Sequence, residues 1–194
     1  MKMRKKGGKN LQNRVTVKPK IAEKFRAFEK EGRVMFFSAP CGFGKTTVAH
    51  ELLKGKAVLE ITPKAFEMQE VPPVRKGFVL IDDLQMLHDE AAHARLVALI
   101  RENPQCRFVL LSRTKLPGWL IPFQISGLLI SVKADEMFFD RSETAAFFET
   151  AGISLSEEKL SDIFRDGKGY PLVYTLFARH MKDGAEYNKK LIEE

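Results

Sequence analysis

Apolar residues change their spacing several times along the chain, and each change marks an element. Ile21, Phe25 and Phe28 recur at helical intervals among charges, which predicts an amphipathic helix over residues 21–31. Residues 34–38, "VMFFS", form a continuous apolar run instead, the pattern of a strand buried on both faces. A loop of small residues follows, and helical spacing resumes over residues 46–53. A second strand is expected at 57–61, "AVLEI", and then a segment through "PPVRKG" whose prolines and glycine read as loop. The runs "FVLI" at 78–81 and "RFVLLSR" at 107–113 read as further buried strands. Between them a helix spans 91–102, ended by Asn103 and Pro104, and a weaker strand follows at 128–132.

Strands that are nearly all apolar and alternate with helices predict an α/β fold, with a mainly parallel sheet covered by helices on both sides. After Lys133 the strand pattern ceases. "RSETAAFFETAG", "SEEKLSDIFRDGKG" and "PLVYTLFARHMKDG" each begin near a polar capping residue or proline and end near glycine, as three short helices do. The expected organisation is a basic arm over residues 1–13, an α/β core over 14–133 and a small helical subdomain over 134–194.

Charge changes this picture only at the start. The 194 residues carry 32 basic and 25 acidic side chains, a formal charge of +7. Eight of the basic residues lie within the first twenty positions, where there is no acid, so the rest of the chain is close to neutral. The body is therefore not expected to be a basic nucleic-acid surface, and the arm reads as a solvated terminus. Nothing approaches the roughly 18 consecutive apolar residues of a membrane span, and "MKMRKKGGKN" has no apolar segment of a secretory signal. A cytoplasmic protein with no membrane partner is expected. Cys41 and Cys106 lie far apart and the four histidines show no ligand spacing, so neither a disulfide framework nor a zinc site is indicated. His88 and His93 read as surface residues near a helix start, and Trp119 in "LPGWLIPF" as a core residue.

The candidate chemistry lies in "SAPCGFGKTT". From Ala39 through Pro40, Cys41, Gly42, Phe43 and Gly44 to Lys45 and Thr46 the spacing is that of a phosphate loop, with alanine at the position of its first glycine. A glycine-rich loop entering a helix turns several backbone N–H groups and the helix dipole toward one point, which suits a polyphosphate. Lys45 is expected to reach the β- and γ-phosphates, the Thr46 hydroxyl to take one position on Mg²⁺, and Thr47 to support the α-phosphate. Cys41 reads as a variable loop position. Asp82, at the carboxyl end of a buried strand, is placed to hold Mg²⁺, and Asp83 beside it to orient an attacking water. An aspartate reaches about one methylene less far than the more usual glutamate, so slow hydrolysis is expected. Arg113 ends the strand "FVLLS" at the same sheet edge, where a guanidinium senses a γ-phosphate, and Ser112 adds a hydroxyl.

With "SAPCGFGKTT", "FVLIDDLQML", "FVLLSR" and "GYPL" in that order, the chain resembles the ATPase module of the large ATP-binding LuxR-type transcriptional regulators, the maltose-regulator group. These belong to the signal-transduction ATPases with numerous domains, an AAA+-like branch of the P-loop NTPases. The resemblance covers roughly residues 14–180 and implies ATP or ADP with Mg²⁺ as ligands. It also implies Val15 and Val17 as backbone neighbours of the adenine, and Pro171 of "GKGYPL" as a contact that reports the nucleotide state to the helical subdomain. The segment before "FVLIDD" is shorter than the family's and lacks its tryptophan. The chain ends at "NKKLIEE", short of the family's sensor repeats and DNA-reading helix-turn-helix. The expected partners are therefore nucleotide, further C-terminal domains or proteins, and other copies through nucleotide-dependent oligomerisation, with DNA reached only through a domain not in this chain. Two other readings stay open: an AAA+-like or kinase-like ATPase acting on a separate substrate, and a nucleic-acid-associated ATPase that uses the basic arm.

Overall fold

The computed structural model describes residues 17–182. The basic arm and Val15 lie outside the described residues.

The described chain divides into two compact units. Residues 17–138 together with Tyr170–Leu172 form the larger, and residues 139–169 and 173–182 the smaller. The larger contains strands β1 (Val34–Ser38), β2 (Val58–Glu60), β3 (Gly77–Ile81), β4 (Cys106–Ser112) and β5 (Leu129–Lys133). Its helices are α1 (Pro19–Lys30), α2 (Lys45–Leu53), α3 (Pro63–Glu67), α4 (Glu90–Glu102) and α5 (Ile121–Ile125). The strands form one five-stranded sheet in the order β2-β3-β4-β1-β5, with every neighbouring pair parallel. Among the described residues no helix is long and apolar enough to cross a membrane.

The apolar runs are continuous because helices cover both faces of the sheet, while successive side chains still alternate between those faces. Val34, Phe36, Val79, Ile81, Phe108 and Leu110 point into one core, shared with Phe66 of α3, Leu96 and Ile100 of α4 and Phe123 of α5. Met35, Phe37, Leu80, Val109, Leu111 and Val132 point into the other, against Ile21, Phe25 and Phe28 of α1 and Ala49 and Leu53 of α2. The residues of each set are nearly inaccessible, so both cores are packed.

Two short helices depart from the sequence reading. The segment after β2, expected as loop, begins with α3, started by Pro63 at its first turn and anchored by the fully buried Phe66. Helix α5 follows "LPGW" in the same way, with Phe123 buried. Each runs five residues, too few for a helical period to show.

The division between the units falls between Phe138 and Phe139, a few residues beyond Ala134. The turn Ala134–Glu136 belongs to the sheet unit because Glu136 is tied into it. The Lys24 ammonium of α1 lies 2.7 and 2.8 Å from its two oxygens, and the Lys133 N–H donates to it at 3.0 Å. Met137 is buried in the α1–α2 core. Burial alone would raise the Glu136 carboxyl pKa. The hydrogen bonds from Lys24 and Lys133 outweigh it and hold the value below the ordinary range.

The smaller unit contains α6 (Arg141–Thr150), α7 (Glu157–Gly167) and most of α8 (Pro171–Lys182). Asp140 and Glu143 form a capping box at the start of α6, and Ser156 caps α7. Phe148, Ile163, Tyr174 and Phe177 fill the core. Tyr174 is fully buried and its hydroxyl accepts the Gly169 N–H at 2.7 Å. A Cβ at Gly167 would come within 2.2 Å of the Tyr174 ring, so the end of α7 requires glycine for close approach.

Candidate functional site

The sheet register brings the candidate residues to one edge. Ser38 of β1 pairs with Ser112 of β4, and Ile81 of β3 with Leu110 of β4. The residues that follow these strands, Ala39, Asp82, Asp83 and Arg113, therefore leave the sheet side by side at its carboxyl end, where open parallel sheets carry ligands.

Between β1 and α2 the chain turns through left-handed backbone at Gly42 (φ 83°) and Gly44 (φ 75°), which glycine alone adopts without penalty. Helix α2 then starts at Lys45 with no side chain capping it. Its first N–H groups have no acceptor within the helix and carry the positive end of the dipole. Lys45 is 8% exposed and folds back to donate to the carbonyls of Ala39 at 2.7 Å and Pro40 at 3.0 Å. Burial holds its ammonium below the ordinary lysine pKa; Asp82 counters this and Arg113 adds to it. The ammonium thus rests on two neutral carbonyls, a placement from which an anion can draw it.

The outer side of the loop is fixed by aromatic contacts. Phe43 is buried, edge-on to Phe138 with centroids 4.9 Å apart and equally close to Tyr170. The Tyr170 hydroxyl donates to the Cys41 carbonyl. A Cβ at Gly42 would lie 2.7 Å from the Leu172 Cβ and 2.8 Å from the Tyr170 hydroxyl. Residues 170–172, which include Pro171, thus belong to the phosphate-loop unit although they lie far along the chain. Cys41 and Thr47 are exposed, and Val17 is half-buried against the α1–α2 core.

Thr46 Oγ1 donates to Asp82 Oδ2 at 2.7 Å. A hydroxyl and a carboxylate converging in this way are hard oxygen donors, the set that suits Mg²⁺. Asp83 is the last residue before a 3-10 turn, with a left-handed backbone (φ 52°, ψ 42°) unusual outside glycine, and its N–H donates to Asp82 Oδ1 at 2.7 Å. Its carboxylate accepts from Gln85 Nε2 at 2.7 Å and from Arg113 Nε at 3.1 Å. The Gln85 bond is the main cause of a carboxyl pKa below the ordinary aspartate value; partial burial opposes it and Arg113 adds to it. Both members of the Asp83–Arg113 pair are about half exposed. Such a pair is worth at most about 1 kcal/mol, so a phosphate oxygen can compete for the guanidinium.

The sequence reading placed Asp83 and Arg113 separately at this edge and missed their pairing. It also missed Gln85, whose one signal was a lone amide inside the apolar run "LQML". Ser112 is buried and its hydroxyl lies 3.0 Å from that of Thr114 and 3.5 Å from Gln85 Oε1. His93 differs from its reading as a surface residue. It is half-buried, bonded to the Leu87 carbonyl at 2.8 Å and stacked on Trp119 at 4.8 Å, because the loop after β4 folds over the start of α4. Trp119 is half-buried against the α3–α4 core, as expected of a packing residue.

No protein-family model matches the chain, and no curated protein matches it by sequence. Solved structures do match. A Walker-type ATPase of Pyrococcus abyssi aligns with a TM-score of 0.65 at 12% identity, covering 90% of this chain and 70% of its own. A RuvB variant of Thermotoga maritima gives 0.60 at 17%, covering 84% and 60%. A signal-transduction ATPase with numerous domains and a tetratricopeptide-repeat sensor, from Pyrococcus horikoshii, gives 0.55 at 12%, covering 90% of this chain and 31% of that one. The fold is accordingly that of the P-loop NTPases. This chain spans about three fifths of the RuvB chain and about a third of the Pyrococcus horikoshii protein.

Proposed function

We propose that the chain is an ATP-binding switch module that hydrolyses ATP slowly, of the kind carried by signal-transduction ATPases with numerous domains and, within them, by the LuxR-type regulators. The observation that carries this reading is the 2.7 Å bond from Thr46 to Asp82 beside an uncapped helix start. It joins a phosphate-loop hydroxyl to a strand-end carboxylate, a pairing that a plain strand-to-helix turn does not need. The Pyrococcus neighbours, a Walker-type ATPase and a multidomain signal-transduction ATPase, support the same class.

The residues divide the work as follows. The N–H groups of residues 42–47 bind the phosphates, and Lys45 leaves the Ala39 and Pro40 carbonyls for the β- and γ-phosphate oxygens. Thr46 and Asp82 hold Mg²⁺, which when bound neutralises charge on those oxygens. Asp83 orients the attacking water, and Arg113 exchanges its contact with Asp83 for the γ-phosphate. By the family resemblance Val15 and Val17 would be backbone neighbours of the adenine, and Pro171, at the start of α8, would contact the nucleotide. A switch needs ATP and ADP to bind its two states with different affinities, and Lys45 and Arg113 supply the contacts that only ATP completes. Helix α8 begins in the phosphate-loop unit and continues in the helical unit, so the chain itself carries the response onward. On this reading copies associate in a nucleotide-dependent way, and DNA is reached only through a further domain.

Phosphate release from ATP tests the reading. Slow release by the unaltered chain and none by Asp83→Asn, with ATP binding retained in both, is the expected result. Equal release by the two would contradict the role given to Asp83.

A further inference from the structure

The Asp83 carboxylate is held by one oxygen. Gln85 Nε2 at 2.7 Å and Arg113 Nε at 3.1 Å both donate to Oδ1, and Oδ2 stands outside both bonds. Gln85 has a second task at its other end, where Oε1 accepts the Arg113 backbone N–H at 2.9 Å and lies 3.5 Å from the Ser112 hydroxyl. One amide therefore bridges the turn after β3 and the end of β4. The turn places it there. Leu84 and Leu87 are buried in the core and Met86 is exposed, which leaves Gln85 facing the sheet edge.

We propose that Gln85 is a positioning residue for ATP hydrolysis, fixing Asp83 through Oδ1 so that Oδ2 is presented to the water. The proposal rests on the reading of Asp83 given above. In the step, the water oxygen bonds to the γ-phosphorus as the bond to the β,γ-bridging oxygen breaks. ADP keeps that bond's electron pair, and the water's proton passes by way of Asp83 Oδ2 to the released phosphate or solvent. The Gln85 amide donates at one end and accepts at the other. Leucine supplies neither contact, and glutamate keeps the acceptor for Arg113 but sets an anionic oxygen against Asp83. Arg113 remains as a holder when γ-phosphate is absent, but it is the group ATP draws away, so among the described residues Gln85 is the side chain left to hold the carboxylate during turnover.

Single-turnover hydrolysis and binding of a non-hydrolysable ATP analogue with Mg²⁺, measured on Gln85→Leu and Gln85→Glu, test this. Both variants are expected to lose roughly 10- to 100-fold in rate, the cost of a misplaced reacting group, with analogue affinity and KM kept within about twofold. Should Gln85→Leu not fold, the near-isosteric Gln85→Glu carries the same comparison. An unchanged or increased rate in a variant that binds the analogue overturns the proposal, and so does a loss of rate matched by an equal loss of affinity. Undiminished hydrolysis by Asp83→Asn overturns the reading of Asp83 and this proposal together, which separates that failure from a failure of Gln85 alone.

Discussion

The Thr46 hydroxyl donates to the Asp82 carboxylate across 2.7 Å, tying the first turn of α2 to the end of β3. If these oxygens serve a metal, removing either by Thr46→Ala or Asp82→Ala should leave metal-free ATP binding in place and abolish the gain that Mg²⁺ adds. Titrations with and without Mg²⁺ measure this. A Mg²⁺ gain that persists in both variants would exclude the pair as its ligands.

Arg113 is half exposed and held by Asp83 at 3.1 Å. Arg113→Ala is expected to weaken ATP by on the order of tenfold, one charged hydrogen bond's worth, while ADP affinity stays the same. Parallel titrations with both nucleotides check the difference, and an equal loss for ATP and ADP would show that Arg113 does not meet the γ-phosphate.

At Gly42 the backbone is left-handed and a Cβ has no room beside Leu172 and Tyr170. Gly42→Ala is expected to cost about 1–3 kcal/mol of stability and to weaken nucleotide binding. Tyr170→Phe removes only the hydrogen bond to the Cys41 carbonyl and should cost about 1 kcal/mol. Urea denaturation ranks the two; the opposite order would mean that the loop is not held by the 170–172 segment.

Glu136 has a folded pKa below its ordinary value of 4.5. Its network therefore stabilises the fold fully above that ordinary value, and the contribution falls away as pH drops through the lower folded value. Glu136→Gln should be less stable than the unaltered chain at neutral pH, with the gap closing on acidification. Thermal melts across pH 3–7 show the effect, and a gap that is constant with pH would refute it.

Much of this architecture is legible in the sequence because its signals are local. "VMFFS", "FVLI" and "FVLLS" are apolar without interruption, the pattern of strands covered on both faces. Ser156 at the head of "SEEKLSDIFRDGKG" announced α7, whereas the Asp140 cap of α6 lies one residue before the stretch read as that helix. What stayed hidden depends on contacts between distant segments. Helices α3 and α5 are held by single buried phenylalanines and are too short to show a period. His93 looked exposed because its partner, Trp119, comes from another loop. The Asp83–Gln85 bond is local, two residues apart, but the contacts of both with Arg113 arise only when β3 and β4 lie side by side. The order of Gly42, Gly44, Lys45 and Thr46 is local too, and the strand–loop–helix expected around it forms, with both glycines left-handed.

The most direct test of the central claim is calorimetric titration of nucleotide-free protein with ATP, ADP and GTP in the presence of Mg²⁺, beside Lys45→Ala. Adenine-selective binding that weakens by on the order of 10- to 100-fold in the variant, with the fold retained, is the predicted result. A folded protein that binds no nucleotide, or one that binds ATP equally well without the Lys45 ammonium, would contradict the account.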